Sequence, residues 1–447
     1  MSNCVRIIGG GLAGAEAAWQ LARRGMAIEL YEMRPQRSTE AHTGDHLGEL
    51  VCSNSLRSDL LSAPAGLLKA EMRRLDSIIV RCAEQHRVPA GSALAVDRQA
   101  FSADLTETVQ ALPGVRIVRE EVRQIPETGI VIIATGPLTS PALSRQLAAA
   151  LGEEHLYFYD AISPIVTADS IDMELAFRAA RYGKGGDDYL NLPLTREEYD
   201  RFVDALIAAE RVPTHAFERF VPFAGCMPIE EMADRGKNTL SFGPMRAVGL
   251  RDPRSGKRPY AVVQLRQENR ARTLYNLVGF QTKMTYAEQR RVFALIPGLN
   301  KGEFVRLGSM HRNTFINAPL HLEPTLQWRR RPTLFFAGQM TGVEGYIESA
   351  ATGMLAGINA ARLFVGERPV APPITTAMGA LLAHITDSER KHFQPMNVNF
   401  GLIAPLAKRL RGKLKKEMMS RRALADLTAW ARETGLLAPR AETVALS

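Results

Sequence analysis

The stretch VRIIGGGLAGAEAAWQLARRGMAIELYE, Val5–Glu32, decides the fold. Val5–Ile8, VRII, reads as a buried-type strand. Gly9, Gly11 and Gly14 follow as GxGxxG, and Ala15–Arg24 reads as a helix stopped by Gly25. A second strand, Met26–Glu32, ends on an acid. Each glycine has its own task. The first allows a tight turn, the second lets backbone approach a pyrophosphate, and the third lets helix pack on strand. The helix N-terminus then faces the phosphates, and the terminal acid is placed for a ribose hydroxyl. This order predicts a Rossmann-type dinucleotide-binding unit. Its contacts are expected from Gly9, Gly10, Gly11, Leu12, Ala13 and Gly14, with Glu32 at the ribose.

Two later stretches point to FAD rather than NAD. GIVIIATGP, Gly129–Pro137, is a buried strand ending in ATG, and it resembles the strand that closes the nucleotide half of FAD proteins. TLFFAGQMTGVEGYIESAATGMLAG, Thr333–Gly357, reads as strand, glycine loop and small-residue helix. It resembles the second flavin motif of the glutathione-reductase-type fold, which implies cofactor contacts at Gly338, Gln339 and Gly353. The two motifs sit toward opposite ends of the chain, so the expected fold is α/β. A glutathione-reductase-type FAD-binding Rossmann domain is assembled from residues 1–180 and 301–370. An α+β insertion spans 181–300, and a helical basic tail spans 371–447. Within the insertion, Thr195 and Glu198 form a capping-box signature, and TLSFGPM, AVVQLRQ and TLYNLVGFQ read as short strands.

The totals agree with a large, ordinary globular chain: 447 residues, 46 % hydrophobic and 23 % charged. No long uncharged run lacks Pro, Gly, Ser or Thr, so no membrane span is expected. The N-terminus shows no basic segment followed by an apolar one, so a cytoplasmic protein is expected. The net charge is +9, and Gly401–Arg422 holds eight basic residues against one acid, a local +7. Such a concentration suggests a polyanionic partner. In the same stretch Leu406, Leu410, Leu414 and Met418 fall at helical spacing, which predicts an apolar stripe that docks while the basic face points outward.

Four cysteines are present, with no CxxC or zinc-type spacing. Cys4 precedes a strand and Cys82 lies in a helical apolar run, so both read as packing residues. Cys52, in GELVCSNSLR, and Cys226, in FAGCMPIEEM, lie in polar loops. Cys226 stands just before an apparent helix start at Ile229, and Arg57 follows Cys52. Both settings are of the kind that activates a thiol.

Taken together, IIGGGLAGAEAAWQLA, ELVCSNSLRS, FAGCMPIEEMADRG, PYAVVQLRQEN, LYNLVGFQTKM, MHRNTFINAP and FFAGQMTGVEGYIESAATG resemble the folate- and FAD-dependent tRNA (uracil-5-)-methyltransferases. The resemblance runs from about Val5 to Arg362 and weakens in the tail. It implies methylenetetrahydrofolate as one-carbon donor, NAD(P)H as reductant of the flavin, and the T-loop uridine in the tRNA T-arm as target. It also implies that Cys52 and Cys226 are the catalytic thiols, with nucleophile and base unassigned between them. Competing expectations are a flavoprotein modifying the tRNA wobble uridine, a flavin oxidoreductase acting on a small molecule, and a non-catalytic tRNA-binding flavoprotein.

Overall fold

The computed structural model describes residues 4–39, 41–152, 156–183, 186–212, 227–389, 393–407 and 410–437. Strand β1 (Val5–Ile8), helix α1 (Leu12–Ala22) and strand β2 (Ile28–Tyr31) follow one another as the sequence predicts. β1 pairs in parallel with β2, Val5 opposite Ile28 and Ile8 opposite Tyr31. On its other side lies the Val131–Ile133 strand, itself parallel to Arg331–Phe336, so that Phe336 sits opposite Ile133. Val115–Val118 flanks β2, and Gln327–Trp328 closes the far edge. One sheet therefore joins the first and last thirds of the chain. Parallel strands covered on both faces are buried, which is why VII is a continuous apolar run and VRII is apolar except at Arg6, whose guanidinium donates to the Thr128 carbonyl.

Helix α1 is buried nearly all round, held between the sheet and the Tyr346–Phe364 helix. The two helices approach closely because both are lined with small residues. A Cβ on Gly353 would stand 2.2 Å from the Ala13 carbonyl oxygen, and one on Gly357 2.7 Å from that of Ala17. The i, i+4 pair on one helix meets an i, i+4 pair on the other.

The second sheet is antiparallel, in the order Phe177–Arg178, Tyr189–Leu194, Ala261–Gln267, Leu274–Leu277, Ile165–Thr167, Phe304–Arg306. The boundaries expected at 181 and 300 fall within this sheet. Its last two strands, Ile165–Thr167 and Phe304–Arg306, are too short to show a period in sequence, and only pairing with Leu274–Leu277 and with each other reveals them. The Arg196–Ile207 and Tyr286–Phe293 helices cover the sheet, with Phe202, Phe280, Phe293 and Phe304 in successive ring contact at 6.0, 6.0 and 5.8 Å. The Thr195 capping box is present. Thr239–Phe242, read as a strand, is instead a helical turn ended by Gly243 and Pro244, where the Ser241 N–H donates to the Tyr199 hydroxyl. A two-stranded ribbon, Leu156–Ala161 with Met310–Phe315, joins the two bodies.

The tail corrects one expectation. Its helix begins at Gly412 and runs to Glu433, so Leu406 and Leu410 precede it, and Leu414 and Met418 are 54 % and 39 % exposed. The buried face is Met419, Ser420, Ala423, Leu427, Trp430 and Ala431. Pro405 and Gly412 interrupt the helical register that the leucine spacing suggested, and docking uses a face one turn later. Among the described residues no helix is long and apolar enough to cross a membrane.

Candidate active site

The glycine turn performs three separable tasks. Gly9 has φ +105°, and a Cβ there would lie 2.5 Å from the Ala134 carbonyl oxygen. A Cβ on Gly14 would lie 1.8 Å from the Gly9 carbonyl oxygen, so this glycine lets α1 start against β1. Gly11 is different: its Cβ would meet nothing within 4 Å. It faces an open cleft that Gly9–Ala13, Glu32 and Thr135–Ser140 line. Gly11 is also the N-cap of α1, with no side-chain cap. The first-turn N–H groups of α1 thus have no intrahelical partners and give that end of the cleft a positive character.

Gly9, Gly10, Gly11, Leu12, Ala13, Glu32, Gly338 and Gln339 all line this cleft. Gly14 and Gly353 do not. Gly353, expected at the cofactor, is a packing glycine beneath α1. The cleft's other walls are Ala134–Ser140 and the start of the Tyr346–Phe364 helix, through Tyr346 and Ser349.

Glu32 accepts the Gly10 N–H at 3.0 Å on one oxygen, and the N–H and Nε of Arg34, both at 3.0 Å, on the other. Burial pushes its carboxyl up, but Arg34 and the two backbone donors outweigh this and hold it below the usual range. Arg34 also donates to Glu49 at 2.9 Å. His42 lines the same wall; burial and the Arg34 charge push it down to about 4, so it is neutral at pH 7. Arg34, His42 and Glu49 were missed in sequence because nothing in their local pattern marks them.

Cys52 follows Val51 and is hydrogen-bonded to Tyr346, both of which line the cleft. The Tyr346 hydroxyl accepts from the backbone N–H of Cys52 at 2.7 Å and of Ser53 at 3.1 Å. The cations here are not the expected one. Arg57 is turned away into an ion pair with buried Glu348 at 2.6 Å. Instead Arg98 donates to the Leu50 carbonyl at 2.6 Å, and Arg266 holds Asn54 and Ser53, each at 2.8 Å. Burial works against the Arg98 charge, but Glu268, Tyr346 and Cys52 together raise it above the ordinary guanidinium range. Arg306 is pushed down by burial and by Arg98. Arg98, Arg266 and Arg306 gather here, with Glu268 paired to Arg98, and make this corner favourable to an anion. These residues come from strands and loops far apart in sequence, which is why no motif announced them.

Cys82 is buried in the Ile78–Gln85 helix, where burial and Asp104 push its thiol up to about 12. It is a packing residue. Cys226 lies outside the described residues; the helix that follows it starts at Ile229, as expected.

Comparison with known proteins places this geometry in context. A family model described as glucose inhibited division protein A matches residues 4–368. The methylenetetrahydrofolate–tRNA-(uracil-5-)-methyltransferase of Geobacter sulfurreducens is 60 % identical over 431 residues, 96 % of this chain and 99 % of that protein. The enzyme of the same name from Moorella thermoacetica is 60 % identical over 425 residues, 95 % of this chain and 97 % of that one. GidA from Aquifex aeolicus superposes with a TM-score of 0.71 at 18 % identity, covering 97 % of this chain and 74 % of that one, which shows a shared fold.

Proposed function

The chain belongs to the glucose inhibited division protein A family and, within it, to the methylenetetrahydrofolate–tRNA-(uracil-5-)-methyltransferases, and from that premise we propose its reaction and the residues that serve it. It transfers a one-carbon unit from methylenetetrahydrofolate to C5 of a tRNA uracil, with FAD as cofactor. The observation that carries this reading is the cleft itself. It is open at Gly11, edged by Glu32, and lined by Val51 and by Tyr346, whose hydroxyl accepts from the Cys52 N–H.

The cleft's residues fit the dinucleotide. The Gly9–Ala13 turn would hold the pyrophosphate, Glu32 a ribose hydroxyl, and Gly338, Gln339 and Tyr346 the flavin side. When bound, FAD supplies the hydride that turns the transferred methylene into a methyl group. NAD(P)H restores the reduced cofactor.

Uracil C5 is a poor nucleophile until a thiolate adds at C6. The addition places charge on the ring as an enolate, whose C5 can attack the one-carbon electrophile. A base then removes the C5 proton, and the C6–sulfur bond breaks. Cys52 and Cys226 supply nucleophile and base. Tyr346 fixes the backbone on either side of the Cys52 sulfur, and Arg98, Arg266 and Arg306 favour the anionic ring. The target is the T-loop uridine at position 54, presented in the T-arm, and the setting is the cytoplasm.

Incubation of the protein with unmodified tRNA, methylenetetrahydrofolate and NADPH, followed by nuclease digestion and mass spectrometry, tests this. Methyluridine at the T-loop position is expected. A wobble-position product, or NADPH consumption without methyluridine, would overturn the reading.

A further inference from the structure

The basic tail is not the only cationic surface among the described residues. In the inserted domain, Phe242–Arg258 carries five basic residues and one acid, a net +4. The acid, Asp252, is already held by Arg254 in the same turn, both carboxylate oxygens accepting from the guanidinium. Arg246, Arg251, Lys257 and Arg258 are exposed, and none makes an ion pair among the described residues. Repulsion among like charges so close in sequence costs stability unless something outside the chain relieves it.

Two aromatic rings stand on this surface. Phe242 is 82 % exposed, and Tyr182 is 55 % exposed. A phenylalanine this solvated contributes little to the core, and its ring is free to take the face of a base. Tyr182 is held in the left-handed region, at φ +61° and ψ +22°, a strained conformation for a bulky residue. Its N–H donates to the Gly249 carbonyl at 3.2 Å, and its ring lies against Gly249, where a Cβ would stand 2.9 Å away. Next to it, Arg181 donates to the carbonyls of Pro244 at 3.2 Å and Arg246 at 2.9 Å. The 181–182 turn therefore braces the 244–250 loop.

We propose that this face of the inserted domain is a docking surface for the tRNA substrate. Arg246, Arg251, Lys257 and Arg258 contact phosphates, and Phe242 stacks on an unpaired base. The inference rests on the tRNA reading given above. Charge complementarity selects the occupant: unpaired cations take phosphate oxygens, and an exposed ring beside them takes a base face, the combination that single-stranded and looped RNA offers.

The test is tRNA affinity of the full-length flavoprotein across a salt series. Replacing Arg246, Arg251, Lys257 and Arg258 together by Gln should weaken binding and flatten the plot of log affinity against log salt by roughly two to four units. Phe242→Leu should weaken binding on the order of tenfold with an unchanged slope, and Phe242→Trp should restore it. Bound flavin and the melting transition serve as folding controls, and Arg→Lys replacement at the three arginines should keep the slope. If wild type binds and methylates tRNA but the quadruple variant keeps its affinity and slope, this surface is not the dock and the activity stands. If Phe242→Leu binds like wild type, the stacking is refuted. If wild type neither binds nor methylates tRNA, both the surface and the activity fail.

Discussion

Adding one methyl group at Gly11, Gly14 or Gly353 should separate cofactor contact from packing. Real Cβ atoms stay beyond 3.0 Å of such neighbours, whereas a Cβ would lie 1.8 Å from a backbone oxygen at Gly14 and 2.2 Å from one at Gly353. Backbone must then move by 3.0 − 1.8 = 1.2 Å in the first case and 3.0 − 2.2 = 0.8 Å in the second, at least. Neither neighbour is a flexible side-chain end. Both replacements should cost stability at or above the upper end of the roughly 1–3 kcal/mol range for overpacking. At Gly11 the methyl meets nothing within 4 Å, and the backbone, φ −71° and ψ −171°, suits alanine. The small loss of an N-cap glycine and the small gain from a stiffer unfolded chain, each roughly 0.5–1 kcal/mol, nearly cancel. The methyl nonetheless projects into the cleft where the proposed pyrophosphate site is, so FAD affinity should fall about 5- to 150-fold, the equivalent of ~1–3 kcal/mol. FAD titration of flavin-stripped protein, followed by flavin fluorescence, reads the affinity, and thermal melts of the flavin-free protein read the fold. Gly11→Ala should lose flavin and keep its melt; Gly14→Ala and Gly353→Ala should lower the melt. A Gly11→Ala protein that binds FAD as tightly as wild type would place the dinucleotide elsewhere.

Replacing either Cys52 or Cys226 with Ala should abolish methyluridine formation, while Cys82→Ala leaves it within a few-fold. T-arm RNA bearing 5-fluorouracil should trap a thiol adduct that peptide mass spectrometry assigns to one of the two, and near-normal turnover by both single variants would refute the thiol mechanism. Glu16 is fully buried on α1, where desolvation pushes its carboxyl up to about 7 against bonds from Gln20, Ser77 and Ile79. Its folded pKa exceeds the unfolded one, so its stabilisation is complete below about 4.5 and is lost as pH rises through 7. That loss is worth up to roughly 3 kcal/mol. Wild type should lose stability relative to Glu16→Gln between pH 5 and 8, and parallel denaturation curves across that range would contradict the assignment. In the tail, reversing Lys413, Lys415 and Lys416 should flatten the salt dependence of tRNA binding without lowering the melt, because all three are exposed. Arg422→Gln should instead lower the melt, since this guanidinium donates to the carbonyls of Pro405, at 2.7 Å, and Ala404.

Local sequence determined the nucleotide half of the fold. A run such as VRIIGGGLAG constrains strand, turn and helix through contacts only a few residues apart, and the glycines act on their own backbone or the next turn. The same holds for the ATG strand, the Thr195 capping box and the cleft lining from Gly9 to Ala13. Tertiary structure decided what depends on distant partners. Gly353 proved to serve helix packing because Ala13 happens to face it. Arg57, beside Cys52 in sequence, is drawn off by Glu348, and the cations that border the thiol's loop come instead from Arg98, Arg266 and Arg306. The leucine spacing of the tail predicted a stripe that leaves Leu414 and Met418 in water, because the start of a helix and the face it buries are set by what it docks against. Periodicity records which residues share a face. Only the packed chain determines what that face meets, since apolar burial and charge pairing depend on distances that no local pattern encodes.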